Sequence, residues 1–186
     1  MSEYCNVAPG HPLHGPYHDT EYGFPITSEA DLFERLMLEI NQAGLSWLTV
    51  LKKRDAFRHA FDHFEVDRVA AYGDEERARL LNDAGIIRHR QKIDAVIHNA
   101  QVIQQLRASH GGFEAWLNAH HPLPHAQWVK LFRRHFRFTG PEIVKEFLMS
   151  TGYLPGAHHD QCPVQQQVLA ASPAWTQTAP DTNPPG

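Results

Sequence analysis

The sequence predicts an all-α fold. Apolar residues recur at helical spacing through most of the chain, as in Leu32, Phe33, Leu36, Met37 and Ile40. No stretch sustains the alternating pattern of a strand, and no Asn-Gly hairpin signal occurs. Glycine, proline and capping residues punctuate the chain at intervals suited to short helices.

Residues 6–27 are rich in Pro, Gly and His and read as an irregular segment. Ser28 with Asp31 is a helix start, a serine N-cap with a carboxylate three residues on. That helix runs through Ile40 and stops at Gly44. Trp47, Leu48, Val50 and Leu51 predict a short second helix; Ala56, Phe57, Ala60 and Phe61 predict a third. Asp67 is the expected cap of a fourth, and Asp74–Asn82 carries another. The longest helical stretch spans Ile86–Leu106, with Ile93, Val96, Ile97, Ala100 and Ile103 on one face, and His110-Gly111-Gly112 breaks it. Phe113, Trp116 and Leu117 start a further helix, and Ala126–Phe136 is amphipathic. After the Thr139-Gly140-Pro141 turn, with proline suited to a first helical turn, the last helix runs to Met149 and Gly152 stops it. From Pro173 onward the composition predicts a disordered tail.

A chain of 186 residues is one domain, or one domain with a small appendage, and needs no disulfide to bury a core. Hydrophobic content of 42% and charged content of 20% are those of a soluble globular protein. No apolar run approaches the roughly 20 residues of a membrane helix. The N-terminus has neither the basic nor the apolar region of a signal peptide, so the cytosol is the expected location. The net charge of −4 does not advertise a polyanion partner. Basic residues nevertheless group at Lys52-Lys53-Arg54, at Arg88/Arg90/Lys92 and at Lys130/Arg133/Arg134/Arg137. Any one group reads equally well as a solvated helix face; three near glycine turns favour phosphate contact.

Three constellations carry chemistry. Glu39 precedes Gln42-Ala43-Gly44-Leu45-Ser46-Trp47, which places a carboxylate, a glycine break and an indole within nine residues. A carboxylate can accept from an exocyclic amine and an indole can stack on a base, although an exposed Glu and a core Trp are the ordinary outcomes. Leu80-Leu81, Ala84-Gly85 and Ile86-Ile87 form an apolar helix end, a turn and a helix anchor, followed by Arg88, Arg90 and Lys92. This is the pattern of a helix-hairpin-helix, in which a glycine turn and a helix N-terminus face a phosphate; a plain αα-hairpin with a basic face reads equally well. Cys5 and His18 near one end, and His158 and Cys162 near the other, could supply a closed two-Cys, two-His zinc set with no position for water. His159 is a rival for His158, and incidental placement of both cysteines is the ordinary reading. A disulfide between Cys5 and Cys162 is not expected in a reducing compartment.

With these residues in view, the chain resembles the bacterial 3-methyladenine DNA glycosylase I family over roughly residues 4–162. The resemblance rests on Tyr17-His18-Asp19-x-Glu21-Tyr22-Gly23-x-Pro25, on Leu38-Glu39 with the run from Gln42 to Arg54, and on Asp83 to Ile93. It continues in Phe136-Arg137-Phe138-Thr139-Gly140 and His158-x-x-x-Cys162. It implies a helix-hairpin-helix glycosylase core over residues 28–150. Segments 1–27 and 151–172 would be tied onto that core by a structural zinc held by Cys5, His18, His158 and Cys162, with 173–186 as a tail. It also implies a monofunctional, monomeric enzyme of base excision repair, acting on duplex DNA that contains alkylated purines, 3-methyladenine foremost. Glu39 and Tyr17 would read and act on the base, with Trp47 as its stacking surface and Tyr22 beside it. Gly85, Arg88, Arg90, Lys92 and Lys52 would hold the backbone, and Leu45 would fill the gap left in the stack. The chain departs from the family pattern at Val7 and Tyr22, where tryptophans are usual, and near His14, where a tyrosine is usual. One pocket wall is therefore expected to be less aromatic and the substrate preference looser. Two other classes remain open. A non-catalytic damage-recognition module is disfavoured by Glu39 with Trp47, and a zinc hydrolase by the fourth protein ligand.

Overall fold

The computed structural model describes residues 3–177, and among these residues there is no strand. Twelve α-helices follow one another: α1 Tyr4–Val7, α2 His14–Thr20, α3 Glu29–Gln42, α4 Trp47–Lys52, α5 Arg54–Ala60, α6 Val66–Ala70, α7 Asp74–Leu81, α8 Arg90–His110, α9 Phe113–His120, α10 His125–His135, α11 Pro141–Ser150 and α12 Pro163–Ala170. The expected starts hold at α3, where the Ser28 hydroxyl accepts from the Asp31 amide at 3.3 Å, and at α11, where Pro141 occupies the first turn.

The core is one cluster with α3 and α8 at its centre. Leu32, Phe33, Leu36, Met37 and Ile40 of α3 meet Ile93, Val96, Ile97, Ala100 and Ile103 of α8 in it. Val66 and Val69 of α6, Trp116 and Leu117 of α9, Trp128 and Phe132 of α10 and Phe147 and Leu148 of α11 complete it. At about 25 cal/mol per Å² of apolar area removed from water, burial of these large side chains is the main favourable contribution to folding.

The structure corrects several sequence expectations. The Pro/Gly/His-rich N-terminal segment contains α1 and α2, short helices with Cys5, Tyr17 and His18 buried. Asp67 does not cap α6, because the helix already starts at Val66 with Glu65 as its N-cap. The longest helix begins at Arg90, and Ile86 to His89 belong to the turn before it; His89 is the N-cap, its side chain accepting from the Lys92 amide at 3.2 Å. The expected tail is ordered at its start. Ala174–Thr176 forms a 3-10 turn, and the Trp175 amide donates to the Gly152 carbonyl at 3.1 Å. The rest of the expected disordered tail, residues 178–186, lies outside the described residues.

Candidate active site and metal centre

Two small satellite clusters adjoin the core on the side of the N-terminal helices. One gathers Tyr17, Tyr22, Leu51 and Ala157, with Tyr4, Trp47 and Met149 packed against it. These residues border a cavity of about 580 Å³ that Glu39, Gln42, Lys145 and Glu146 also line. That volume suits a purine-sized ligand.

Local backbone chemistry puts Glu39 and Trp47 together. Gly44 ends α3 with φ +81°, a conformation that favours glycine, and the chain reverses there. Ser46 then caps α4, its hydroxyl accepting from the Thr49 amide at 3.2 Å, so Trp47 opens α4 facing back toward α3. Lys92 reinforces the reversal from α8. Its ammonium donates to the carbonyls of Asn41 at 3.0 Å and Ala43 at 2.7 Å, satisfying the orphan carbonyls at the C-terminus of α3. Lys92 is buried, so the expectation that it holds phosphate is corrected. Its charge is spent inside the fold, on the helix end that carries Glu39.

The walls are aromatic. Tyr17 and Trp47 lie with ring centroids 5.1 Å apart, and Tyr22 lies 5.8 Å from Tyr17. Tyr4, which the sequence reading did not single out, adds a third tyrosine 5.4 Å from Tyr22. Its hydroxyl is hydrogen-bonded to His14 Nδ1 at 2.9 Å, so the departure near His14 supports this wall. Val7 is 63% exposed and does not line the cavity. A backing layer of charge holds the wall from behind. Arg35 sits 4.9 Å over the Tyr17 ring and donates to the Ser150 carbonyl at 3.1 Å. Arg54 bridges Glu21 and Glu34 at 2.6–2.7 Å.

The Tyr17 hydroxyl is buried and unpaired among the described residues, while the Trp47 indole N–H is directed at the Tyr4 hydroxyl. An unpaired buried donor costs ~1–3 kcal/mol, which a ligand that pairs with it restores. Glu39 is 4% exposed. Burial pushes its carboxyl up to about 8, and the nearby Glu146 pushes the same way against the opposing pull of Arg35. Burial likewise pushes the Tyr17 phenol upward, so it stays a neutral hydrogen-bond donor. Tyr22, expected beside the base, lines the cavity, and its hydroxyl donates to Glu146 Oε2 at 3.3 Å.

Beside the pocket lies a candidate metal centre. Cys5, His18, His158 and Cys162 are all buried, and their ligand atoms lie within 4.8 Å of one another. Cys162 Sγ is 3.5 Å from His158 Nδ1 and 3.7 Å from His18 Nε2, and Cys5 Sγ is 3.6 Å from His158 Nδ1. A tetrahedral ion with sulfur at about 2.3 Å and nitrogen at about 2.05 Å separates those atoms by roughly 3.6 Å, so the set fits. The remaining ring nitrogens are anchored. His158 Nε2 donates to the Tyr22 carbonyl at 2.6 Å and His18 Nδ1 to Asp19 Oδ1 at 2.7 Å, which frees the facing nitrogen of each ring for a metal. His158 is therefore the member of the cluster and His159 is not. Both cysteines are free of any disulfide. Because Tyr22 and its carbonyl belong to one residue, the centre also braces the pocket wall.

The hairpin joins α7 to α8 as expected, but Gly85 serves it differently. Its amide donates to Asp83 Oδ1 at 2.8 Å, and its carbonyl accepts from Lys53 Nζ at 3.4 Å. A Cβ there would lie 3.2 Å from Ala56 Cβ, so close approach of α5 accounts for the glycine. Arg88 and Arg90 are exposed at the start of α8, Lys52 is exposed beside Lys53, and Leu45 is 40% exposed at the turn after α3.

Comparison with known proteins agrees with this arrangement. Residues 7–129 match the family model for methyladenine glycosylase. The chain is 38% identical to DNA-3-methyladenine glycosylase 1 of Escherichia coli (strain K12), covering 81% of this chain and 90% of that protein. It is 32% identical to the DNA-3-methyladenine glycosylase of Haemophilus influenzae, covering 79% and 89%. A solved structure of the Staphylococcus aureus 3-methyladenine DNA glycosylase I superposes with a TM-score of 0.79 at 31% identity, covering 87% of this chain and 96% of that one. With the aromatic pocket, the hairpin and the buried Cys/His cluster in place, the chain belongs to the 3-methyladenine DNA glycosylase I family.

Proposed function

We propose that this protein hydrolyses the N-glycosyl bond of alkylated purines in duplex DNA, 3-methyladenine foremost, as a monofunctional glycosylase of base excision repair. The observation that carries the reading is a buried carboxylate, Glu39, in a purine-sized aromatic cavity whose Tyr17 hydroxyl lacks a protein partner among the described residues. Alkylation at a ring nitrogen makes the base cationic and a good leaving group. The pocket then has no need to protonate it. The nucleotide is flipped, the base stacks on Trp47, and Glu39 accepts from its exocyclic amine. A cation in the pocket opposes the burial that holds the Glu39 proton, so the carboxylate ionises as the substrate enters. The C1′–N bond breaks, its electron pair leaves with the base as a neutral purine, and water adds to C1′ and loses a proton to solvent. Neutral adenine lacks the charge on which this selection depends.

Duplex DNA is held by Arg88, Arg90 and Lys52 with the first-turn amides of α8, where the helix dipole favours phosphate. Leu45 fills the vacated stack. Cys5, His18, His158 and Cys162 would hold a zinc ion; four protein ligands would leave no position for water, so the ion would cross-link the two ends of the chain and supply no chemistry to hydrolysis.

Incubation with methylated duplex DNA tests the reading. The expected result is release of 3-methyladenine, an abasic product without strand cleavage, and no borohydride-trapped adduct with Lys145, the exposed lysine at the pocket rim. Intact methylated DNA would contradict it.

A further inference from the structure

The cavity holds a second carboxylate. Glu146 comes from α11, lines the same space as Glu39 of α3, and is positioned by the Tyr22 hydroxyl at 3.3 Å. No ion pair within 4.0 Å neutralises it among the described residues: the neighbouring Lys145 is exposed, and Glu142, one turn away, adds negative charge. Arg35, the cation nearest Glu39, is already bound to the Ser150 carbonyl and Glu21. Two acidic groups thus share one partly dry cavity, an arrangement that is unfavourable when empty and favourable when a cation lies between them.

We propose that Glu146 is a second base-reading carboxylate, so that a positively charged base is gripped by acidic groups from both α3 and α11. This rests on the glycosylase reading above. The positive charge of an alkylated purine is spread over its ring, so it can be met on more than one side, and a second charge-assisted contact raises its advantage over a neutral base. Besides Glu39, the groups that face Glu146 are Tyr22, Lys145 and Glu142. The α11 carboxylate also sets the pH at which the pocket becomes competent, because its charge helps keep the Glu39 proton in place.

The full-length, metal-loaded protein tests this with Glu146→Gln, which keeps the shape and an acceptor for Tyr22. Release of 3-methyladenine from methylated duplex DNA is followed as kcat/KM across pH 5–10, roughly the range over which a carboxylate raised by its surroundings titrates. Above pH ~8, Glu146→Gln is expected to lower kcat/KM roughly tenfold, the size of one charge-assisted contact. The acid limb should move to lower pH, and Glu146→Asp should move it back toward the wild-type position. A profile that superimposes on wild type overturns the proposal. So does a uniform loss at every pH with the limb unmoved, which is the signature of a merely structural role. Wild-type protein that releases no alkylated base at any pH overturns the glycosylase reading itself.

Discussion

Glu39 is a buried carboxyl with no ion pair among the described residues. It lies near the end of α3 between the apolar Leu38 and Ile40, with its ionisation pushed up to about 8 by burial and by Glu146. The consequence for stability has a definite sign. Below the ordinary carboxylate range the group is protonated in both folded and unfolded chains and costs nothing. As pH rises toward 8 the unfolded chain ionises while the folded one cannot, so stability falls, and the cost is complete above about 8. Glu39→Gln should therefore raise the melting temperature at pH 9 and leave it nearly unchanged at pH 4; calorimetry at the two pH values checks this. Trp47 makes a separate contribution through its ring face. Trp47→Ala should weaken capture of free 3-methyladenine by about 1–3 kcal/mol, the worth of one base–aromatic stack, measured by titration calorimetry. Glu39 and Trp47 were legible in the sequence because the glycine between them fixes their approach. Glu146 was not, since Lys145-Glu146 in an amphipathic helix has the look of a solvated face. Only the packing of α11 beside α3 turns it inward.

At the scale of elements, the pocket and the hairpin are one device. Lys92 sits two residues inside α8, and its ammonium clamps the end of α3. In sequence Lys92 is indistinguishable from Arg88 and Arg90, and its role becomes visible only through the carbonyls it reaches. The two kinds of cation should separate cleanly. Arg88→Ala with Arg90→Ala should leave the melting temperature unchanged, weaken binding to all DNA sequences alike, and reduce the salt slope of log K by up to about 0.9 per lost contact. Lys92→Met should leave the salt slope unchanged but destabilise the fold by ~1.5–3 kcal/mol, as for a lost buried bond to a charged group, read from urea denaturation. The core helices α3, α8, α10 and α11 were legible because each buries a long apolar stripe. Helices α1, α2 and α12 were not. They are short, α2 contains Gly15 and Pro16, and α1 and α2 commit Cys5, Tyr17 and His18 to the pocket and the metal centre rather than to a periodic apolar face.

For the whole molecule, the buried Cys/His cluster joins two chain ends separated by some 140 residues, so that α1, α2 and the segment after α11 close over the pocket. In the cross-link entropy picture, closing a loop of that length is worth roughly 4–5 kcal/mol. Removing the ion with a chelator, or replacing Cys162 by Ser, should lower the melting temperature by several degrees or more, and metal analysis of protein purified without chelator should find one zinc per chain. Loss of the ion should also slow base release, because His158 anchors the Tyr22 carbonyl. The account as a whole rests on a carboxylate that recognises positive charge in a stacked base. Its most direct test is the single-turnover rate at which Glu39→Gln, folded at least as stably as wild type at pH 7 and matched to it in zinc content, releases 3-methyladenine from methylated duplex DNA. Loss of a charge-assisted bond of about 1.5–3 kcal/mol predicts a fall of roughly 10- to 100-fold. Release at the wild-type rate would contradict the account and place the chemistry elsewhere.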